Sequence, residues 1–178
     1  MQALIDNLIE RGLDLKVCRL FIVDGAKALS KVIRRTFGPH TPIQRCQIHK
    51  ARNVTERPPK PLHVSVRRAP GAAASILEGL DEMLTVVRLK LPTPLRRSLA
   101  CTNAIENMMG TVRRVSRNVK RWRNAAMALR WTAAGMLEAT KGFRRLKAHK
   151  HLPALRAALA AHQSKYVTQR VERNADAA

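Results

Sequence analysis

A short apolar run that ends at an acid–glycine pair constrains the fold of this chain more than any other feature. Val17–Val23 is mostly apolar and β-branched, and Asp24-Gly25 follows it directly, which is typical of a buried strand closed by a turn. Residues 26–37 then carry apolar side chains at helical spacing as far as Gly38-Pro39, and residues 41–46 form a second predicted strand. This order predicts a parallel pair of strands joined by a crossover helix, and therefore an α/β layer.

Most of the remaining sequence has helical periodicity. Helices are predicted over about 1–12, 48–57, 73–89, 103–119, 124–146 and 153–162. The prolines and basic residues of 58–71 predict an exposed connection, and residues 163–178 hold too few apolar anchors to resist fraying. The predicted organisation is an α/β part at 1–57, a connection at 58–71, a mainly helical part at 72–162 and a frayed tail at 163–178.

The charge balance points to a polyanionic partner. The chain has 34 Lys and Arg against 12 Asp and Glu, which gives a net charge of +22. Such a surplus on a globular chain is typical of nucleic-acid binding, although a ribosomal protein or a binder of membrane surfaces shows it too. Aromatic residues make up only 3% of the chain, so stacking on single-stranded bases is less expected than contact with the backbone of duplex DNA.

Other features bear on the compartment. No apolar run approaches the length of a membrane span, and the N-terminal residues show no signal-peptide pattern. The 3 cysteines are odd in number and scattered, which argues against a disulfide framework and for a reducing cytosol. We therefore expect a cytoplasmic protein that does not engage a membrane.

Two carboxylates stand where a divalent metal could be held. Asp24 ends the first predicted strand, and Glu106 begins a basic helix; Mg²⁺ prefers such hard oxygen ligands on rigid elements. Each also has a structural interpretation. Asp24 could serve the turn and cap the following helix, and Asn103 with Glu106 could form a capping box.

Cys46 and His49 form a C-x-x-H pair after the second predicted strand. A closed zinc site needs four ligands, and no second pair stands at a suitable spacing. Zinc is therefore not expected. The structural interpretation makes Cys46 a small buried residue at the strand end and places His49 at the start of a helix.

The segment from Val112 to Lys147 has the most one-sided charge. It carries 11 basic residues against the single acid Glu138, whereas solvated helix faces normally mix both signs. We interpret it as a surface for the DNA phosphate backbone. The candidate DNA-binding residues are Arg113, Arg114, Arg117, Lys120, Arg121 and Arg123.

Four blocks in this order resemble the Mutator-family transposases of bacterial insertion sequences: Val23–Leu29, Gln44–Val54, Cys101–Met109 and Val119–Trp122. The resemblance extends over residues 1 to about 165. It implies a DDE transposase with a ribonuclease-H-like core, which uses two Asp and one Glu to hold Mg²⁺ or Mn²⁺ for cleavage and transfer of DNA strands.

By motif match, the resemblance makes Asp24 the second Asp and Glu106 the Glu, both as catalytic residues and metal ligands. It assigns Cys46 and His49, with Asn103 beside Glu106, to support of the site. No residue before Asp24 matches the first Asp, since Asp6 lies in a predicted helix and Asp14 in a loop. The junction at 68–71 resembles a shortened form of the insertion that precedes the Glu.

We therefore expect a C-terminal fragment of a transposase that binds the ends of its element as duplex DNA, associates with the nucleoid and is inactive alone. A second copy of the chain is a further expected partner, in a homo-oligomer. A non-catalytic basic DNA-binding protein derived from a transposase is the main alternative. Charge alone would also suit an RNA-binding or ribosomal-type protein, but the ordered motifs argue against it.

Overall fold

A computed structural model describes residues 1–55 and 77–175 of the chain. Two short strands and a series of helices make up the described part. In chain order the elements are α1 (Gln2–Glu10), β1 (Phe21–Val23), α2 (Lys27–Phe37), β2 (Ile43–Arg45), α3 (Gln47–Thr55), α4 (Leu80–Met83), α5 (Thr85–Arg88), α6 (Thr93–Leu99), α7 (Asn103–Ser116), α8 (Ala125–Thr140), a 3₁₀ turn (His149–His151) and α9 (Leu152–Ala175). The predicted connection at 58–71 lies outside the described residues.

The predicted parallel pair of strands is confirmed. β1 and β2 form a two-stranded parallel sheet with Val23 opposite Arg45, and α2 is the connection between them. The fold is thus mixed α/β and mostly helical. Both strands are shorter than predicted because backbone pairing covers only three residues of each; Val17, inside the predicted first strand, is half exposed instead.

One apolar cluster fixes α2 on the sheet. Val23, Ile33 and Ile43 are buried together, and Phe21 and Phe37 pack against them with ring centroids 4.7 Å apart. These side chains come from β1, α2 and β2. The cluster thereby holds the carboxyl ends of both strands in place.

Several predicted helix boundaries were wrong. The described part of the helix predicted over 73–89 is interrupted twice. Gly79, before α4, has a left-handed φ of +81°, and Leu84, between α4 and α5, leaves helical geometry. The helix predicted to end at Leu146 stops at Thr140, and α9 continues to Ala175 rather than ending near His162. The tail predicted to fray is therefore helical along most of its length.

The described chain divides into two compact units. Unit 1 is formed by Met1–Cys101 with Lys147–Ala178, and unit 2 by Thr102–Leu146. The predicted helical part, residues 72–162, contributes to both. No helix of the described residues is long and apolar enough to cross a membrane.

Within unit 1, α9 is fastened to two earlier loops. His162 Nε2 is hydrogen-bonded to the carbonyl oxygen of His40 at 2.8 Å, and the ring of Tyr166 stacks on the His40 ring with centroids 4.1 Å apart. Gln163 Nε2 donates to the carbonyl oxygen of Lys16 at 3.1 Å. The C-terminal helix is therefore part of the same packed unit as the sheet.

Unit 2 is built on the packing of α7 against α8. A side chain at Gly135 would put its Cβ 2.8 Å from Val112 Cα, so only glycine permits this approach of the two helices. Gly110, on the exposed side of α7, has no such neighbour within 4 Å.

Gly135→Ala is expected to lower the free energy of unfolding of unit 2 by about 1–3 kcal/mol, because an overpacked contact must be relieved by moving backbone. Gly110→Ala is the matched control, and its higher helix propensity should raise stability by about 0.5–1 kcal/mol. Urea unfolding followed by circular dichroism measures both. Equal stabilisation by the two alanines would contradict the close packing at Gly135.

Candidate functional site

The carboxyl edge of the sheet brings two of the candidate site residues together. Because β1 and β2 are parallel and Val23 is opposite Arg45, Asp24 and Cys46 follow their strands at the same edge. The backbone N–H of Cys46 donates to the carbonyl oxygen of Val23 at 2.7 Å. Ligands of open α/β sheets commonly bind at this edge.

Asp24 is exposed at the end of β1. Its Oδ1 accepts a hydrogen bond from the backbone N–H of Ala26 at 3.1 Å, so the side chain shapes the turn into α2. The alternative role as helix cap was wrong, because Ala26 is the N-cap residue of α2 and no side chain caps it. An exposed carboxylate on a fixed turn is available to a metal ion, and metal binding by Asp24 stays a prediction.

Cys46 and His49 occupy different environments. Cys46 is fully buried, at 0% exposure, and His49 is half-buried in the first turn of α3. Burial of Cys46 beside β1 agrees with the structural interpretation of a small core residue. Cys18, Cys46 and Cys101 form no disulfide bond with one another. The supporting role of Cys46 and His49 stays a prediction.

Arg45 is a residue of this edge that the sequence interpretation did not single out. It ends β2 with only 9% of its surface exposed, and its side chain lies against the backbone of Gly25 and Gly79. A Cβ at either glycine would stand 2.5 Å from a guanidinium nitrogen. The sequence did contain an indication of its role, because Gln44 and Arg45 are two polar residues between the apolar Ile43 and Cys46 of the predicted strand.

An ion pair lies near this edge. Lys27 Nζ is 2.5 Å from Glu78 Oε1. The hydrogen bond from Lys27 lowers the pKa of the Glu78 carboxyl most, the charge of Lys27 adds to it, and the charges of Lys50 and Arg45 contribute less. Four charged residues of unit 1, three of them cations, therefore share one local field.

Glu106 lies in the first turn of α7, in unit 2. The predicted capping box is wrong by one residue, because Thr102 is the N-cap and Asn103 the first helical residue. The Thr102 hydroxyl donates to Glu106 Oε1 at 2.7 Å, while no side chain caps the backbone N–H groups. The hydroxyl restricts the orientation of the carboxylate near a helix N-terminus, where a negative charge is favoured.

Unit 2 is strongly basic, and its candidate DNA-binding residues are exposed. It contains 10 Lys and Arg against 2 acids. Glu138, one of the acids, is 2.6 Å from Lys141 Nζ, and the hydrogen bond from Lys141 is the main reason its pKa is lowered. The six predicted DNA-binding residues, which we call the basic segment, are all exposed: Arg113, Arg114, Arg117, Lys120, Arg121 and Arg123.

The candidate residues therefore fall into two groups. Asp24, Cys46 and His49 belong to unit 1, and Glu106, Asn103 and the basic segment belong to unit 2. A metal site shared by Asp24 and Glu106 stays a prediction.

The carboxyl edge of an α/β sheet is a common place for a ligand to bind, and a strongly basic surface is typical of nucleic-acid binding. The family model described as "Transposase, Mutator family" matches residues 1–69, which include both strands, Asp24, Cys46 and His49. This match supports a transposase-derived protein. Comparison with curated proteins gave no match, and comparison with solved structures gave none either.

Proposed function

We propose that this protein derives from a DDE transposase of a bacterial insertion sequence, binds duplex DNA through unit 2 and holds a divalent metal ion through Asp24 and Glu106. The observation that carries the proposal is the position of Asp24, which is exposed at the carboxyl end of β1 inside the region matched by the transposase family. The proposed core is ribonuclease-H-like, and the proposed partner is the DNA at the ends of the element.

The donor chemistry fits Mg²⁺ or Mn²⁺. Asp24 and Glu106 offer carboxylate oxygens. The backbone N–H of Ala26 donates a hydrogen bond to Asp24, and the Thr102 hydroxyl donates one to Glu106, so each carboxylate is oriented. Such oxygens are the usual protein ligands of these ions. A bound metal would activate a water or a 3′-hydroxyl for attack on phosphorus. Cys46 and His49 would keep the sheet edge in shape beside it.

We expect the purified chain to bind duplex DNA without cutting it in Mg²⁺ or Mn²⁺. By motif match, Asp24 and Glu106 correspond to two of the three carboxylates of a DDE set. Mg²⁺ demands near-ideal octahedral geometry, and groups that act as a unit lose nearly all their effect when one is missing. Gel electrophoresis of supercoiled plasmid and of labelled oligonucleotide measures nicking and strand transfer. Robust nicking that Glu106→Gln abolishes would contradict the expectation, and would place the third ligand elsewhere, for example in a second subunit.

A metal titration separates the proposal from its main alternative. Mn²⁺ binding, followed by electron paramagnetic resonance, should weaken in both Asp24→Asn and Glu106→Gln and stay unchanged in Glu10→Gln, which removes an exposed acid at the end of α1. DNA affinity should be the same in all three variants. If neither site variant affects Mn²⁺ binding, the result favours the alternative, a non-catalytic basic DNA-binding protein, with which the exposed basic segment is equally consistent.

A further inference from the structure

Arg45 is a buried cation with a hydrogen-bond donor that has no acceptor among the described residues. It is 9% exposed, and its Nε is buried without a hydrogen-bond partner among the described residues. Most buried polar atoms in folded proteins have a partner, and a guanidinium is among the least favourable groups to leave unpaired. A ligand that accepts hydrogen bonds would remove this deficit.

The backbone around Arg45 is shaped to admit the guanidinium. Gly25 and Gly79 have φ values of +111° and +81°, and a Cβ on either would collide with Arg45 nitrogens at 2.5 Å. Gly25 directly follows Asp24, so the guanidinium lies against the same turn that presents the candidate metal ligand. Two segments far apart in sequence therefore leave room for one side chain at the sheet edge.

The local charges favour an anion over an internal partner. Glu78 is the acid whose pKa responds to Arg45, but it is 2.5 Å from Lys27 Nζ, and Lys27 has the larger effect on that pKa. Lys50 adds another cation to the same field and is itself 4% exposed. Lys27, Arg45 and Lys50 thus outnumber the two acids of this region, Glu78 and Asp24.

We propose that Arg45 binds a phosphate of the DNA substrate at the carboxyl edge of the sheet, next to Asp24. This inference rests on the proposed function. A guanidinium presents a planar fork of N–H groups that matches two phosphate oxygens, and one held in a fixed orientation loses little freedom on binding. Arg45 would fix the position of one phosphodiester relative to the metal-holding carboxylate, whereas the exposed basic segment would hold the DNA along its length.

Arg45→Met tests the anion site without DNA. Thermal unfolding should show a higher Tm for Arg45→Met than for the original chain in chloride, because methionine removes a buried charge whose Nε has no hydrogen-bond partner among the described residues. Inorganic phosphate at matched ionic strength should raise the Tm of the original chain, as a ligand of the folded state does, and this rise should be lost in Arg45→Met. Arg35→Met, on the exposed side of α2, should keep the rise in full.

DNA titrations test the assignment to a DNA phosphate. The slope of log affinity against log salt should become less steep by about 0.9 in Arg45→Met, the value for one lost phosphate contact, and stay unchanged in Arg35→Met. If Arg45→Met does not fold, Arg45→Lys replaces it, since it keeps the charge and loses the fork; its phosphate-induced rise in Tm should be smaller than that of the original chain.

Three results would overturn the proposal: a lower Tm of Arg45→Met with no phosphate effect in the original chain, an equal phosphate effect in Arg45→Lys and the original chain, or an unchanged DNA slope in Arg45→Met. Failure of the proposed function is a different result. In that case the original chain would not bind DNA, while inorganic phosphate would still raise its Tm through Arg45.

Discussion

Raising the salt concentration from 50 to 200 mM is expected to weaken the binding of duplex DNA to this protein about a thousandfold. The six residues of the basic segment are all exposed and carry one sign of charge. If each contacts one phosphate, released counterions give a slope of about −5 for log affinity against log salt. Fluorescence anisotropy with a labelled duplex of arbitrary sequence measures the slope, and a value near zero would contradict a phosphate-binding surface.

A pair of double variants distinguishes the basic segment from net charge. Arg113→Gln with Arg117→Gln removes two cations four residues apart at the C-terminal end of α7, where such side chains share a face. Lys31→Gln with Arg35→Gln removes two exposed cations from α2. The first pair should make the slope less steep by about 2, and the second should leave it unchanged. Equal losses in both would show that DNA responds only to total charge.

Gln44→Leu is expected to lower the free energy of unfolding by about 2–4 kcal/mol, because it leaves buried backbone groups without partners. Gln44 is 0% exposed. Its Nε2 donates to the carbonyl oxygens of Met83 and Arg45, both at 2.8 Å, and its Oε1 accepts from the N–H of Val86 at 3.0 Å. One amide thereby connects β2 to α4 and α5.

The neighbouring Gln47 provides the control for this substitution. Its Nε2 also donates to the Met83 carbonyl oxygen, at 3.0 Å, but the residue is exposed at the start of α3. Water can replace a hydrogen bond lost there, so Gln47→Leu should cost less than about 1 kcal/mol. Chemical unfolding followed by circular dichroism compares the two. Equal costs would mean that the Gln44 amide does not join these elements.

The order of elements in the α/β part was predictable, and their lengths were not. The apolar run before Asp24 and the helical spacing after it sufficed for the parallel pair. The length of a strand depends on how many of its residues are hydrogen-bonded to a neighbouring strand. The composition of residues 17–20 does not predict that they lack such a neighbour. The predicted helix over 73–89 is interrupted before α4 by the left-handed φ of Gly79. That glycine lies against the Arg45 side chain, which is a contact between distant parts of the sequence.

The candidate site was predictable where it follows from strand direction. Parallel pairing alone brings Asp24 and Cys46 to one edge. The hydrogen-bond partner of the Glu106 carboxylate was not predictable, because the sequence suits a helix that begins after Asn103 as well as one that begins after Thr102. The N-cap residue is Thr102, and its hydroxyl donates to the Glu106 carboxylate instead of capping a backbone N–H group. The roles of Gln44 and Arg45 depend on their burial and on contacts with α4 and the glycine before it. The residues next to them in sequence do not predict these contacts.

The path of the chain through the two units has a consequence for biosynthesis. Unit 1 needs Lys147–Ala178, yet Thr102–Leu146 leaves the ribosome before that segment. At about 5–20 residues per second, synthesis of unit 2 keeps the first part of unit 1 waiting for several seconds before α9 can reach the His40 loop. During this interval the nascent sheet lacks its last helix, whereas the helices of unit 2 can already pair. Unit 2 is thus expected to finish folding before unit 1, although unit 1 begins first in the sequence.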